Sequence, residues 1–259
     1  MSMYIVTHKE ISERIPVGYQ PLLVGAEING KKKEYINDNE GLSISEKNKN
    51  YCELTGLYWI WKNSSEKNVG ISHYRRYFSE KLENKAYKHI QVLLGTLKPI
   101  SLWKLDKYLE DFDIIVPKKE CYTISVEKQY AQCHNIVDLN ETKKIINNLT
   151  PEYLEAFNKV MKGHCMSMYN MVYTRKELFD DYCEWLFKIL FELEKNIDIN
   201  DYNNYQARVF GFISERLFNV WLEKNSELTI KYIDVYNIAE LNRKNTLIKF
   251  THLVNSKRR

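Results

Sequence analysis

Glycine-rich phosphate loops are missing from this 259-residue chain. Neither G-x-G-x-x-G nor G-x-x-x-x-G-K-S/T occurs, so dinucleotide and P-loop chemistry lose their sequence signal, and any bound phosphate has to be held by side chains. Cysteine is sparse: Cys52, Cys121, Cys133, Cys165 and Cys183 make an odd set of five without a C-x-x-C. That pattern signals neither a zinc site nor a disulfide framework and fits a reducing cytoplasm. No apolar stretch approaches the roughly 18 residues of a membrane span. The opening MSMYIVTHKE has neither the basic start nor the long apolar run of a secretory leader. The expectation is a protein that is soluble or rests on a membrane surface. Strong charge of one sign is lacking too. A net charge of +4, spread along the chain, does not provide the basic face that nucleic-acid backbones require. Internal repeats and low-complexity tracts are absent.

What is present is ordinary globular composition, 44% hydrophobic and 28% charged, in a length suited to one large α/β unit with a sizeable core. Aromatic residues stand at 13%, including 19 tyrosines. Such rings stack on sugars or bases as readily as they fill a core.

The run MYIV at residues 3–6 reads as a buried strand that opens into Thr7, His8 and Lys9. Ligands of α/β sheets gather at such strand ends. Residues 11–50 read as a long loop region with a brief strand near Leu22 to Val24. NYCELTGLYWIWKN predicts a helix with Asn50 as N-cap and Glu53 three positions on. VGIS is a second strand, 84–112 are mostly helical, and FDIIVPKK at 112–119 is a third strand. Segments 123–148 and 151–162 pattern as helices, MYNMVYT at 168–174 as a strand, and 175–195 and 203–223 as amphipathic helices. LTIKYIDVY and a basic tail ending Lys257-Arg258-Arg259 close the chain. This order is that of an α/β nucleotide-binding domain with a helical C-terminal part.

The densest chemistry follows VGIS, in HYRRYF. Strand alternation sends His73 and Arg75 to one face and Arg76 to the other, all at a ligand-side strand end. Guanidinium forks grip phosphate oxygens bidentately, and fixed cations stabilise a departing diphosphate. Pairing with buried carboxylates, or capping of a helix, is the structural alternative. Asn48 and Asn50 precede a helix N-terminus able to receive an anion, while capping alone accounts for Glu53. His134 and Asp138, four apart, form a candidate general-base pair on one helix face, although an ordinary surface pair has the same spacing. As metal ligands they lack a third partner. On the 203–223 helix, Arg208, Gly211, Phe212, Glu215 and Asn219 share a narrow stripe opposite Phe210, Ile213, Leu217, Val220 and Trp221. The interior glycine points to a close approach there.

The strings ISEKNKNYCELTGLYWIWKN, VGISHYRRYF, DIIVPKK, YNMVYTRKELFDDYCEWLF and RVFGFISERLFNVWL together resemble a family long catalogued as a domain of unknown function. Its members are encoded in bacterial capsular and exopolysaccharide clusters and regarded as glycosyltransferases. The resemblance runs from about residue 3 to 224. It implies a GT-A-like domain over 1–224, with 225–259 as a C-terminal extension. It also implies a nucleotide-sugar donor, a UDP-hexose, and a growing saccharide acceptor carried on lipid at the cytoplasmic membrane face. Where many such enzymes hold manganese or magnesium with Asp-x-Asp, this chain has His73-Tyr74-Arg75, so a metal is not the favoured expectation and the cations replace it. Thr7, His8, Lys9, Asn48, Asn50, Glu53 and Arg208 are then donor contacts. His73, Arg75, Arg76, His134, Asp138 and Glu215 are catalytic candidates, and Tyr169 and Asn170 face the acceptor. A non-catalytic nucleotide- or saccharide-binding regulator is the alternative, and the basic tail offers weak contact with anionic lipid.

Overall fold

The computed structural model describes residues 1–12, 14–79 and 98–239. Its centre is a mixed sheet built from β1 (Ser2–Thr7), β2 (Tyr19–Leu23), β3 (Ile36–Asn37), β4 (Asn68–His73), β5 (Arg76–Phe78), β6 (Ile114–Pro117), β9 (Val172–Arg175), β10 (Ile230–Ile233) and β11 (Val235–Asn237). The strands run in the order β10-β6-β9-β4-β1-β2-β3, with β5 bridging β4 and β11. β4, β1, β2 and β3 are parallel neighbours, as are β10 and β6. β9 runs against both β4 and β6.

The apolar runs form the central strands because both faces of this sheet are covered. Every residue of β1 is buried. Alternation sends Tyr4 and Val6 into one core with Val69, Ile71 and Val116, and Met3 and Ile5 into another with Ile115 and Tyr173. The first core is roofed by helices α3 (Leu54–Asn63), α5 (Val126–Cys133), α6 (Ile136–Leu149), α7 (Leu154–Lys162), α8 (Lys176–Asn196) and α9 (Val209–Lys224). The second is closed by α4 (Leu102–Tyr108) with the β5–β11 pair. Two single-turn helices, α1 (Ala26–Asn29) and α2 (Asn48–Tyr51), sit in the 11–50 region. The α/β class expected from the sequence is the one observed. Of the expected 84–112 helix, residues 84–97 lie outside the described residues, as does the basic tail.

Gly70 is where β4 and β9 press closest. A Cβ there would lie 2.5 Å from Tyr173 Cδ2 and 2.7 Å from the Val172 carbonyl oxygen. Backbone cannot yield as a side-chain tip can, so Gly70→Ala is expected to destabilise the chain by about 1–3 kcal/mol. The change reads as a lower urea midpoint at unchanged slope.

Several local expectations are corrected. The helix predicted from Asn50 is broken at Cys52, whose φ is 52°, between α2 and α3. Glu53 makes no cap; its carboxylate is drawn inward by Asn170. The 123–148 helix is interrupted at His134, extended at φ −140°, ψ 172°, because the Asn135 side chain accepts from Val137 N–H and starts α6. His134 and Asp138 therefore do not share a helix face. In MYNMVYT, Tyr169 and Asn170 take φ of 79° and 50°, so the strand begins only at Val172. Finally, Cys121 and Cys165 form a disulfide. They stand opposite each other in the antiparallel pair β7 (Glu120–Cys121) and β8 (Cys165–Met166). Sequence spacing carries no record of that pairing.

Candidate functional site

β1 and β4 end side by side, Val6 pairing with His73, and their ends open into a cavity of about 580 Å³. Strand β4 stops at His73. Tyr74 and Arg75 make a two-residue turn, and Arg76 begins β5 directly opposite His73. Residues opposed in an antiparallel pair share a face, so His73 and Arg76 lie together, correcting the division expected from simple alternation. The turn is held by Tyr74 N–H donating to the Val6 carbonyl at 3.1 Å and by Ile238 N–H donating to the Arg75 carbonyl at 2.9 Å.

Arg75 and Arg76 both line the cavity. The Arg75 guanidinium lies over the Tyr74 ring, 4.8 Å from its centroid, and Arg76 over Tyr169 at 4.5 Å. Among the described residues neither pairs with a carboxylate. Their charge borders the cavity.

Tyr169 joins the opposing groups. Its carbonyl lies 2.5 Å from His73 Nε2; since a carbonyl only accepts, Nε2 carries the proton. Its N–H donates to Glu215 Oε1 at 3.0 Å. Burial lowers the His73 pKa against the opposing pull of Glu53. Burial pushes Glu215 up to about 7, although Arg216, 3.2 Å from Oε2, favours the carboxylate. The turn carrying Tyr169 is pinned on both sides. Ser167 N–H donates to Asn219 Oδ1, and Asn170 Nδ2 donates to Glu53 Oε1 and Ser214 Oγ, each at 2.8 Å.

Thr7, His8, Asn48, Glu53 and Arg208 line the same cavity. Lys9 stands with its ammonium 5.3 Å from the centroid of the Tyr74 ring. Burial lowers the His8 pKa, helped by the positive charges of Lys9, Arg75 and Arg208. The stripe on α9 faces the cavity through Gly211, Phe212 and Glu215, where a solvated face was the alternative. Cys52 lies beside Gly211, but its Cβ and Sγ would stand 3.7 and 3.8 Å from an added Cβ, an ordinary contact, so the close approach expected at this glycine is not found. Arg208 Nε donates to that same sulfur at 3.2 Å. Burial holds the Cys52 thiol up at about 11 despite the guanidinium.

Five expected residues do not line the cavity: Lys9, His134, Asp138, Asn50 and Asn170. His134 stacks on Phe212, ring centroids 3.9 Å apart, and burial pushes its pKa down to about 4. Asp138 accepts from Tyr202 Oη at 2.8 Å, its pKa raised by burial. Neither lines the cavity. Asn50 donates to the Ala207 carbonyl and ties α2 to the start of α9. Asn170 is buried beneath the cavity and faces Glu53 in place of an acceptor. Lys49, Cys52, Tyr74, Asn204 and Tyr205 also line the cavity; the first three lie within the strings ISEKNKNYCELTGLYWIWKN and VGISHYRRYF, although only their neighbours were candidates. The asparagine-rich stretch DYNNY before α9 was the available sign of an exposed aromatic loop.

The two carboxylates that line the cavity, Glu53 and Glu215, accept hydrogen bonds from Asn170 Nδ2, and from Tyr169 N–H and Arg216, respectively. Among the described residues, no group of three or more His, Cys, Asp or Glu is arranged to hold a metal ion. No described helix is long and apolar enough to cross a membrane.

The profile of the family described as a domain of unknown function, DUF4422, matches residues 2–226. A solved structure of WbbM, a bifunctional glycosyltransferase in its apo form, superposes with a TM-score of 0.79 at 31% identity. The match covers 91% of this chain and 45% of that one, so this chain spans less than half of WbbM. No curated protein matches.

Proposed function

This chain belongs to the DUF4422 family, and from that premise and its cavity we propose that it is a glycosyltransferase, moving a hexose from a UDP-sugar to a growing capsular or exopolysaccharide unit carried on lipid. The observation that carries the reading is the pair of guanidinium groups, Arg75 and Arg76, that line a strand-end cavity without carboxylate partners among the described residues. The likeness to WbbM supports the same reaction class. The nucleoside lies toward Thr7 and His8, where β1 ends. The diphosphate lies on Arg75 and Arg76, with Arg208 alongside. Glu215 is the remaining base among the catalytic candidates, partly buried and poised near neutrality, where general bases work best. It takes the proton of the acceptor hydroxyl as that oxygen bonds to the sugar's anomeric carbon. The bond from that carbon to the diphosphate breaks, and the electron pair leaves on a phosphate oxygen facing the two arginines. A single displacement of this kind inverts the anomeric centre. His73, committed through Nε2 to the Tyr169 carbonyl, orients the turn that carries Glu215's backbone donor.

Nucleotide release from a panel of nucleotide sugars, with and without saccharide acceptors, tests the reading. Donor binding without release for any pair overturns it in favour of a saccharide-binding regulator. With the diphosphate held on fixed cations, transfer is expected to persist in chelator. Activity abolished by chelator and restored by manganese refutes that part of the mechanism.

A further inference from the structure

At the rim of the cavity, on the loop leading into α9, Tyr205 is 52% exposed although its ring is braced from behind. His134 lies nearly parallel to it, 21° between planes with centroids 5.7 Å apart, and Phe212 packs at 5.1 Å. His134 and Phe212 are themselves stacked at 3.9 Å. The loop is held by Asn203 Oδ1, which accepts from both Tyr205 N–H and Gln206 N–H at 2.9 Å. A large ring is thus held at an open rim with one side toward the cavity. A stacking surface already fixed in place loses little conformational freedom on binding.

We propose that Tyr205, backed by Phe212 and His134 and flanked by Asn204, is the acceptor subsite, taking the apolar face of an uncharged pyranose. This rests on the glycosyltransferase reading for the word acceptor, but the binding chemistry stands on the geometry. Pyranose rings present a patch of C–H groups on one face and hydroxyls around the edge, matching an aromatic plane beside a polar side chain. Asn204 lines the cavity, and its amide has no hydrogen-bond partner among the described residues, leaving donor and acceptor for sugar hydroxyls. His134 is neutral, held so by burial, and the guanidinium beside the stack, Arg208 at 5.7 Å from the Phe212 centroid, is the one placed alongside the diphosphate. A nucleobase is better served at the other wall, where β1 ends at Thr7 and Val24 follows the end of β2. A bracing role for Tyr205 also accounts for His134, outside the cavity, packing so closely on a ring that lines it.

The test compares wild-type chain with Tyr205→Ala and Tyr205→Phe. Saturation-transfer NMR with unmodified oligosaccharides, in the presence of UDP, reads saccharide binding without requiring turnover. Kinetics with a donor and acceptor pair read the two KM values separately. Tyr205→Ala is expected to abolish the ring-to-sugar transfer and to raise the acceptor KM about tenfold, the loss of one stacked face. Donor KM and acceptor-free nucleotide release stay unchanged, and Tyr205→Phe behaves as wild type. Three results overturn the proposal: no saccharide binding by the wild type, binding that survives Tyr205→Ala, or a raised donor KM with the acceptor KM unmoved. If the wild type binds saccharide but transfers no sugar, and Tyr205→Ala no longer binds it, the glycosyltransferase reading is refuted while the subsite stands.

Discussion

Arg76→Ala is expected to lower kcat by about 10²–10³-fold, the usual consequence of removing one preorganised group that meets charge developing in a transition state. Charge on the leaving diphosphate grows as the glycosidic bond breaks, so the loss falls on kcat more than on donor KM. Arg76 is the sharper target of the two arginines because its place is fixed twice. β5 pairs it with both His73 and Asn237, and the Tyr169 ring lies beneath its guanidinium. Arg76→Lys keeps the charge but loses the planar fork, so its activity should fall between wild type and alanine. A kcat within about threefold of wild type in Arg76→Ala, far short of the loss of a preorganised charge, would remove the diphosphate from this turn. Circular dichroism and thermal melting on the same samples separate that result from misfolding.

Glu215→Gln is expected to cost about 10²–10⁴-fold in kcat while leaving donor binding in place, because it removes proton acceptance and keeps the shape. The pH profile gives a second readout. The reaction needs the carboxylate, and burial holds its pKa at about 7. Wild-type kcat/KM should therefore rise with pH through about 7 and flatten above it. In Glu215→Gln that limb should disappear from the residual activity. A limb that persists unchanged in the variant would assign the titration to another group and remove Glu215 as the base.

Some of this was legible along the chain. MYIV, VGIS and DIIV announced themselves because strands covered on both faces must be apolar along their length. The α9 stripe of Gly211, Phe212 and Glu215 was legible because helical spacing alone puts those side chains on one side, although the helix begins at Val209, not 203, and Arg208 stands just before it. The errors share a cause. Asn50 and Glu53 fitted a capping box, yet Asn170, 117 residues beyond Glu53, outcompetes that local bond. His134 and Asp138 fitted one helix until Asn135 capped the next; that asparagine before Ile136 was a signal that could have been weighed. MYNMVYT had strand propensity throughout, but anchors on Asn219, Glu53 and Ser214 bend its first half into left-handed backbone.

By itself, then, the sequence determined the α/β class, the buried strands and the cationic turn, since each depends on residues near one another along the chain. Tertiary structure decided which charges remain available to a ligand. Whether an arginine is paired, a carboxylate buried near neutrality or a histidine tied to a carbonyl depends on atoms dozens of residues away, and the desolvation that shifts Glu215 exists only once α9 is packed against the turn at Tyr169.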